Sequence, residues 1–265
     1  MTDQPIIWHY GLMAERWAET INETPELAYF ERQIGRFGQP VLDLACGVGR
    51  LLVPLLRAGI EIDGCDISPD MLSYPARRAG EEGLMVNLYT QRMHELDLPR
   101  RYKTIYIYDS FGLSGSRAND LETLRRCYEH LHPGGALLLN IQAEYMSPEE
   151  WAMWVPEGRA KLPEPWPEEG SRRSAADGSE NVAYFRSLNL DPLEQTFVNE
   201  VRLEKVVDGV VTATERYTLK GNMYFKNEVL LMLRVAGFSD ISVTGDYGDE
   251  PATAASKEIL FTAVK

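Results

Sequence analysis

The stretch VLDLACGVGR, residues 41–50, decides how the chain is read. Val41 to Ala45 reads as a short buried strand broken only by Asp43. Gly47 and Gly49 then flank a valine, and an apolar helical stretch, GRLLVPLLRAG, runs on to a stop at Gly59. A strand that passes into a helix through glycines makes a loop whose backbone can turn tightly and lie flat against a ligand.

The same alternation continues outward from this loop. Ile60–Cys65 is a second strand, followed by the helical SPDMLSYPARRAGEEG, where Ser68 can cap the helix with Pro69 at its first position. Val86–Thr90, YKTIYIYD and GALLLNIQ read as strands three to five, with the helix NDLETLRRCYEHL and the turn HPGG before the fifth. Strand and helix alternating over about a hundred residues predicts an α/β fold, a doubly wound, mostly parallel sheet with helices on both faces. Upstream, residues 6–35 carry Trp8, Leu12, Trp17, Ile21, Leu27 and Phe30 among charged residues, which predicts helical segments interrupted near NETPE. Downstream, residues 143–180 are rich in Pro, Glu and Trp and read as an irregular cover. Then come NVAYFRSLNL, LEQTFVNEVRLEKVV and VVTATERYTLK, the last two joined by the hairpin signal Asp208-Gly209. A helix, KNEVLLMLRVAGF, and two strands, SDISVTGDY and KEILFTAVK, bring the main sheet to seven. The predicted organisation is a cofactor-binding domain from 1–142 and 222–265, with 143–221 inserted after strand five as an antiparallel β lid over the substrate.

Composition narrows the partners. With 27 basic against 40 acidic residues the net charge is −13, which argues against a nucleic-acid partner held through phosphates. The basic patch Arg100, Arg101 and Lys103 reads as a solvated turn. Cys46, Cys65 and Cys127 form no CxxC pair and leave an odd count, as expected of a reducing, cytoplasmic setting. The first residues, MTDQPIIWHY, lack a basic region leading into an apolar stretch, and nowhere do 18 apolar residues run together, so neither export nor a membrane anchor is expected.

Two cofactor classes use a glycine loop after the first strand of such a sheet. Asp66 closes the second strand 66 − 47 = 19 residues after Gly47, where a carboxylate can accept from both ribose hydroxyls of an adenosine. A dinucleotide fingerprint also needs a third glycine, which lets the helix approach the strand, and Leu52 stands there. The reading as a NAD-dependent oxidoreductase is weakened accordingly.

On these residues the chain resembles the class I S-adenosylmethionine-dependent methyltransferases, in their small-molecule branch. The first motif of that family matches Asp43, Ala45, Gly47 and Gly49, with Ala45 where many members have glycine; its second acidic position matches Asp66, followed by Ile67. HLHPGGALLLNI is similar to the family's leader into strand five, and Tyr10, Ala14 and Trp17 to the aromatic, alanine and aromatic of its N-terminal helix. The resemblance implies S-adenosyl-L-methionine as cofactor, held by Tyr10, Trp17, Asp43, Ala45, Gly47, Gly49, Asp66, Ile67, Met71, Gln91, Arg92, Met93, Asp109 and Ser110. Many members carry an acidic residue where Arg92 stands, to read the adenine amino group, and Gln91 is the candidate replacement. After strand four, Asp109-Ser110-Phe111-Gly112 lacks the Asn/Asp-Pro-Pro-aromatic motif of methyltransferases acting on amides or base nitrogens.

The implied activity is methyl transfer to nitrogen or oxygen of a small metabolite. Tyr10 and Asp109 are the candidate catalytic residues, and Arg216, Tyr217, Tyr224 and Tyr247 the candidate acceptor contacts. No metal is expected, because His9, His94, His130 and His132 show no ligand spacing. A non-catalytic cofactor-binding module is the reading from a different class. The edge of the antiparallel insert is a candidate homodimer surface.

Overall fold

The computed structural model describes residues 4–19, 24–143, 148–175 and 177–265. Two helices, α1 (Gly11–Ala18) and α2 (Leu27–Phe37), precede the sheet; part of the interruption predicted around NETPE lies outside the described residues. Then follow β1 (Val41–Leu44), α3 (Leu52–Arg57), β2 (Ile62–Asp66), α4 (Pro69–Glu81), β3 (Leu88–Thr90), β4 (Tyr102–Ile107), α5 (Arg117–His130) and β5 (Leu131–Gln142). The next segment holds α6 (Pro148–Ala152), α7 (Pro156–Arg159), β6 (Ser171–Ser174), β7 (Glu180–Asp191), β8 (Thr196–Val207) and β9 (Val210–Asn222). Helix α8 (Lys226–Ala236) and strands β10 (Asp240–Gly245) and β11 (Glu258–Val264) complete the chain.

The seven-stranded sheet has the order β10-β11-β5-β4-β1-β2-β3, with β11 antiparallel to both its neighbours and the rest parallel. The doubly wound, mostly parallel architecture read from the alternation is the one observed. Its apolar runs are continuous because both faces are covered. Leu42, Leu44, Ile105 and Ile107 face α5 and α8 through Leu124, Cys127 and Leu233, with Phe238 just beyond α8, whereas Val41 and Tyr106 face α2 and α3 through Phe30, Ile34, Leu52 and Leu55.

Leu52 explains why a third glycine is not needed in the first loop. It is fully buried, and the room for it comes from the opposite partner: a Cβ at Gly64 of β2 would stand 2.6 Å from Leu52 Cδ1. The close approach of helix and strand that a dinucleotide fold obtains from a glycine on the helix is obtained here from a glycine on the strand.

The irregular cover expected over 143–180 contains more structure than its composition suggests. Strand β6 pairs with β7, giving a four-stranded antiparallel sheet, β6-β7-β8-β9. SRRS lacks β-branched and aromatic residues, so propensity hid it. The hairpin at Asp208-Gly209 forms as predicted, with φ of +52° and +76°. The inner face of this sheet packs Ala183, Val201 and Leu203 on Leu12 and Met13 of α1. Glu215 of β9 accepts the Leu12 amide at 2.7 Å, so the sheet also holds the helix by its N-terminus.

Candidate active site

The carboxyl ends of β1, β2, β3 and β4 open on one cavity, the position ligands take in doubly wound sheets. The loop after β1 forms its floor. The amides of Ala45 and Cys46 both donate to the Cys65 carbonyl, at 2.7 and 3.0 Å, which forces three positions into the left-handed region: Ala45 (φ +68°), Gly47 (+53°) and Gly49 (+79°). Gly47 lines the cavity, and a Cβ there would meet nothing within 4 Å. The bare backbone thus leaves the space that a ligand's flat face needs.

Asp66, at the end of β2, is buried and fixed from both sides. Its Oδ2 accepts the Gly47 amide at 2.9 Å and its Oδ1 the Ser68 amide at 2.8 Å. The Ile67 amide adds a third bond, and a carboxylate with about four acceptor sites still has room for a ligand hydroxyl. Ser68 caps α4 as predicted, its Oγ accepting from the Met71 amide at 3.2 Å, and its own hydroxyl donates to the His9 carbonyl at 2.5 Å. That bond and one from the Gly11 amide to Asp70 dock the N-terminal segment over the cavity.

Three acidic side chains, Asp43, Asp66 and Asp109, line the cavity. Burial pushes the Asp43 carboxyl up to about 8, with the Asp66 charge adding to the rise and Arg50 opposing it. Burial also raises Asp66, against the amides that stabilise its charge. At the end of β4, Asp109 has φ +51° and is clamped by Asn140, which accepts the Asp109 amide at 2.8 Å and donates to its carboxylate at 2.6 Å. Arg50 stands beside it, paired with buried Glu26 at 2.7 Å and lying 4.7 Å over the Tyr108 ring. Above the floor, Ile7, His9 and Trp17 come from the N-terminal segment and α1, and Leu113 and Ser114 from the loop before α5. Burial lowers the His9 imidazole to about 4, so its ring is neutral at physiological pH.

Residues 41–135, from β1 into β5, match a family described as the methyltransferase domain. The chain carries an S-adenosylmethionine-dependent methyltransferase domain. A protein of Geobacillus sp. (strain WCH70) that bears the name methyltransferase is 24% identical over 97% of this chain and 99% of its own. A solved S-adenosylmethionine-dependent methyltransferase from Clostridium acetobutylicum ATCC 824 shares the fold, with a TM-score of 0.67 at 16% identity over 90% of this chain and 89% of that one. So does CalS10, an amino pentose methyltransferase from Micromonospora echinaspora solved with its cofactor bound, with a TM-score of 0.65 at 16% identity over 98% and 99%.

Within this methyltransferase, Trp17, Asp43, Ala45, Gly47, Asp66, Ile67, Met71, Gln91, Arg92, Met93, Asp109 and Ser110 come together on the cavity wall. Gly49 does not line it: a Cβ there would be 2.8 Å from Pro75 Cβ, so its role is to let the loop pass close to α4. Tyr10, read as a cofactor contact and catalytic candidate, does not line the cavity; burial and the charges of Asp66 and Asp70 raise its phenol. Gln91 turns away from the role proposed for it, with its carboxamide nitrogen donating to the Asp97 carbonyl at 3.1 Å and its oxygen accepting the Asp97 amide at 2.9 Å.

The four residues read as acceptor contacts lie outside the cavity lining. Tyr224 is buried and donates to Asp120 at 2.7 Å. Tyr217 donates to Glu215 at 2.8 Å and packs with α1. Arg216 lies on the opposite, outer face of the sheet, 5.1 Å from the Trp166 ring centre. Tyr247 reaches only the back of the site, its hydroxyl donating to that of Tyr108 at 3.3 Å. The insert is held to α1 through its apolar inner face, which leaves the N-terminal segment rather than the insert's strands above the cavity.

His9, Arg50 and His94 line the cavity and escaped the sequence reading. Arg50 follows Gly49 directly, and its place next to the glycine loop was the available signal. Nothing in the spacing of His9 or His94 pointed to the site.

Proposed function

We propose that the enzyme methylates a nitrogen of a small metabolite, with Asp66, Gly47 and Ile67 holding the adenosine half of the cofactor and Asp43, Arg50 and Asp109 surrounding its methionine half. The single observation that carries this reading is the pairing, in one cavity, of the glycine loop and Asp66 with an end closed over by Ile7, His9, Leu113 and Ser114. A recess of that kind suits a small acceptor. The cofactor supplies a methyl group already activated by its sulfonium, so alignment is most of what the protein must provide.

Nitrogen is favoured over an alcohol by the available bases. A neutral imidazole whose conjugate acid has a pKa of about 4 is poorly matched to an alcohol proton. An amine that enters uncharged needs no base for the transfer itself: the product forms as an ammonium, which the Asp109 carboxyl on the cavity wall can pair with before its proton is lost to solvent. The fold neighbour CalS10, named for an amino pentose, is consistent with this preference. A relative from Proteus mirabilis, 27% identical over half of this chain and named for ubiquinone biosynthesis O-methylation, keeps an oxygen acceptor as the second reading.

Calorimetric titration with S-adenosylhomocysteine, for the wild type and Asp66→Ala, tests the cofactor half. Expected are one-site binding by the wild type and loss of most of it in the variant; equal affinities would remove the basis of the assignment. A screen of small amines and phenols with labelled S-adenosylmethionine then tests the acceptor, and turnover confined to phenols would overturn the choice of nitrogen.

A further inference from the structure

The cofactor's adenine offers an amino group that donates protons beside ring nitrogens that accept them, and an enclosed site must answer both. The wall after β3 is where that edge falls if Asp66 holds the ribose, and its groups differ sharply in what they have left to give. Arg92 Nη1 donates to both oxygens of Glu95, at 3.0 and 3.1 Å. Gln91 has folded onto the Asp97 backbone. Two atoms on this wall are buried without a hydrogen-bond partner: His94 Nδ1 and Arg92 Nε. One can accept and the other can only donate.

We propose that His94 Nδ1 accepts the adenine amino group, with Arg92 Nε donating to a ring nitrogen beside it, so that this pair reads the base where the family's acidic residue is missing. The inference rests on the cavity being the S-adenosylmethionine site. His94 lines the cavity with its side chain 13% exposed, so bulk water has little access to supply the missing bonds. The nearest charge biases the tautomer. Glu95 Oε1 lies 3.9 Å from Nε2 and favours the proton there, which frees the Nδ1 lone pair. Asp120 and Glu122 of α5 and Glu95 work to raise the imidazole's pKa and Arg92 to lower it, but burial is the largest influence and the net change is downward. The ring is neutral at physiological pH, the form in which Nδ1 accepts.

The test compares S-adenosylhomocysteine with S-inosylhomocysteine, in which a carbonyl replaces the amino group and the adjacent ring nitrogen gains a proton. Calorimetric titration of the wild type is expected to favour the adenosyl ligand by about tenfold or more, the worth of one buried hydrogen bond. His94→Phe keeps a flat ring without the acceptor, and its expected preference falls, through weaker adenosyl binding, to the share that Arg92 Nε still supplies. His94→Asn, which keeps an acceptor atom, retains part of the preference and serves as the second variant should the phenylalanine disturb folding. In the wild type alone, affinity for S-adenosylhomocysteine falls as pH drops through the histidine's titration. An unchanged preference in a folded His94→Phe protein overturns the assignment. Failure of the wild type to bind either ligand overturns the cofactor reading and this inference with it.

Discussion

The contact between Leu52 and Gly64 can be tested by a double-mutant cycle. An alanine at Gly64 would bring its Cβ to 2.6 Å from Leu52 Cδ1 and 2.8 Å from Leu88 Cδ2, with Cys46 Sγ at 3.0 Å. Overpacking a close-fitting core costs about 1–3 kcal/mol, and the stiffer unfolded chain of alanine returns about 0.4–1 kcal/mol. Gly64→Ala should therefore lose about 1–2 kcal/mol. Leu52→Ala empties a fully buried site and should lose about 2–5 kcal/mol by itself. In the double variant the alanine methyl enters space that the leucine has vacated, so its cost should fall by about 1–2 kcal/mol relative to the sum of the singles. Urea unfolding at equilibrium measures all four proteins, with unchanged slopes as the check that the denatured states are alike. Losses that add to within about 0.5 kcal/mol would falsify the idea that Gly64 makes room for Leu52.

Three further outcomes are expected. Gly49→Ala, strained at φ +79° and driven against Pro75, should lose about 2–4 kcal/mol of stability, whereas Gly47→Ala, with open space around it, should lose only about 1–2 kcal/mol yet weaken S-adenosylhomocysteine binding markedly; thermal shifts with and without ligand separate the two. Tyr224→Phe should cost about 1–3 kcal/mol, because Asp120 loses a buried donor, while leaving ligand affinity unchanged; a rise in acceptor KM without a stability loss would restore Tyr224 to the acceptor site. Burial raises Glu258 to about 7 and Asp43 to about 8, above their values in an unfolded chain, so the native state holds extra protons in that window. Their contribution to stability is complete below the unfolded-state values and is lost as pH rises through 7 and 8. The melting temperature should therefore fall over that range, and Glu258→Gln, which keeps an oxygen for Asn140, should flatten the lower part of the decline.

Much of the site was legible because the glycine loop and Asp66 are local features. A strand, a turn demanding positive φ and a carboxylate at the next strand's end are each written within a few residues, and the alternation of elements places them at the same edge of the sheet. Even Ala45, which looked like a departure from the family, sits in the left-handed conformation that glycine usually fills. The residues read as acceptor contacts were chosen by type and by their place on the insert and the closing strands, and neither says which face of a strand meets the cavity. Tyr217 and Arg216, neighbours on β9, went to opposite faces, and neither faces the site.

By itself, then, the chain's order of residues determined the parallel sheet, the floor of the cavity and the class of cofactor, since these depend on periodicity, turn chemistry and short spacing. The tertiary structure decided what stands above that floor. The Ser68 bond to His9 and the Glu215 bond to Leu12 join segments 59 and 203 residues apart, and no local pattern encodes such pairings. They bring His9 over the glycine loop and bind the insert to α1. His94 Nδ1 and Arg92 Nε stand out only once burial has removed water from them, because an unpaired polar atom acquires meaning from its surroundings and not from its place in the sequence.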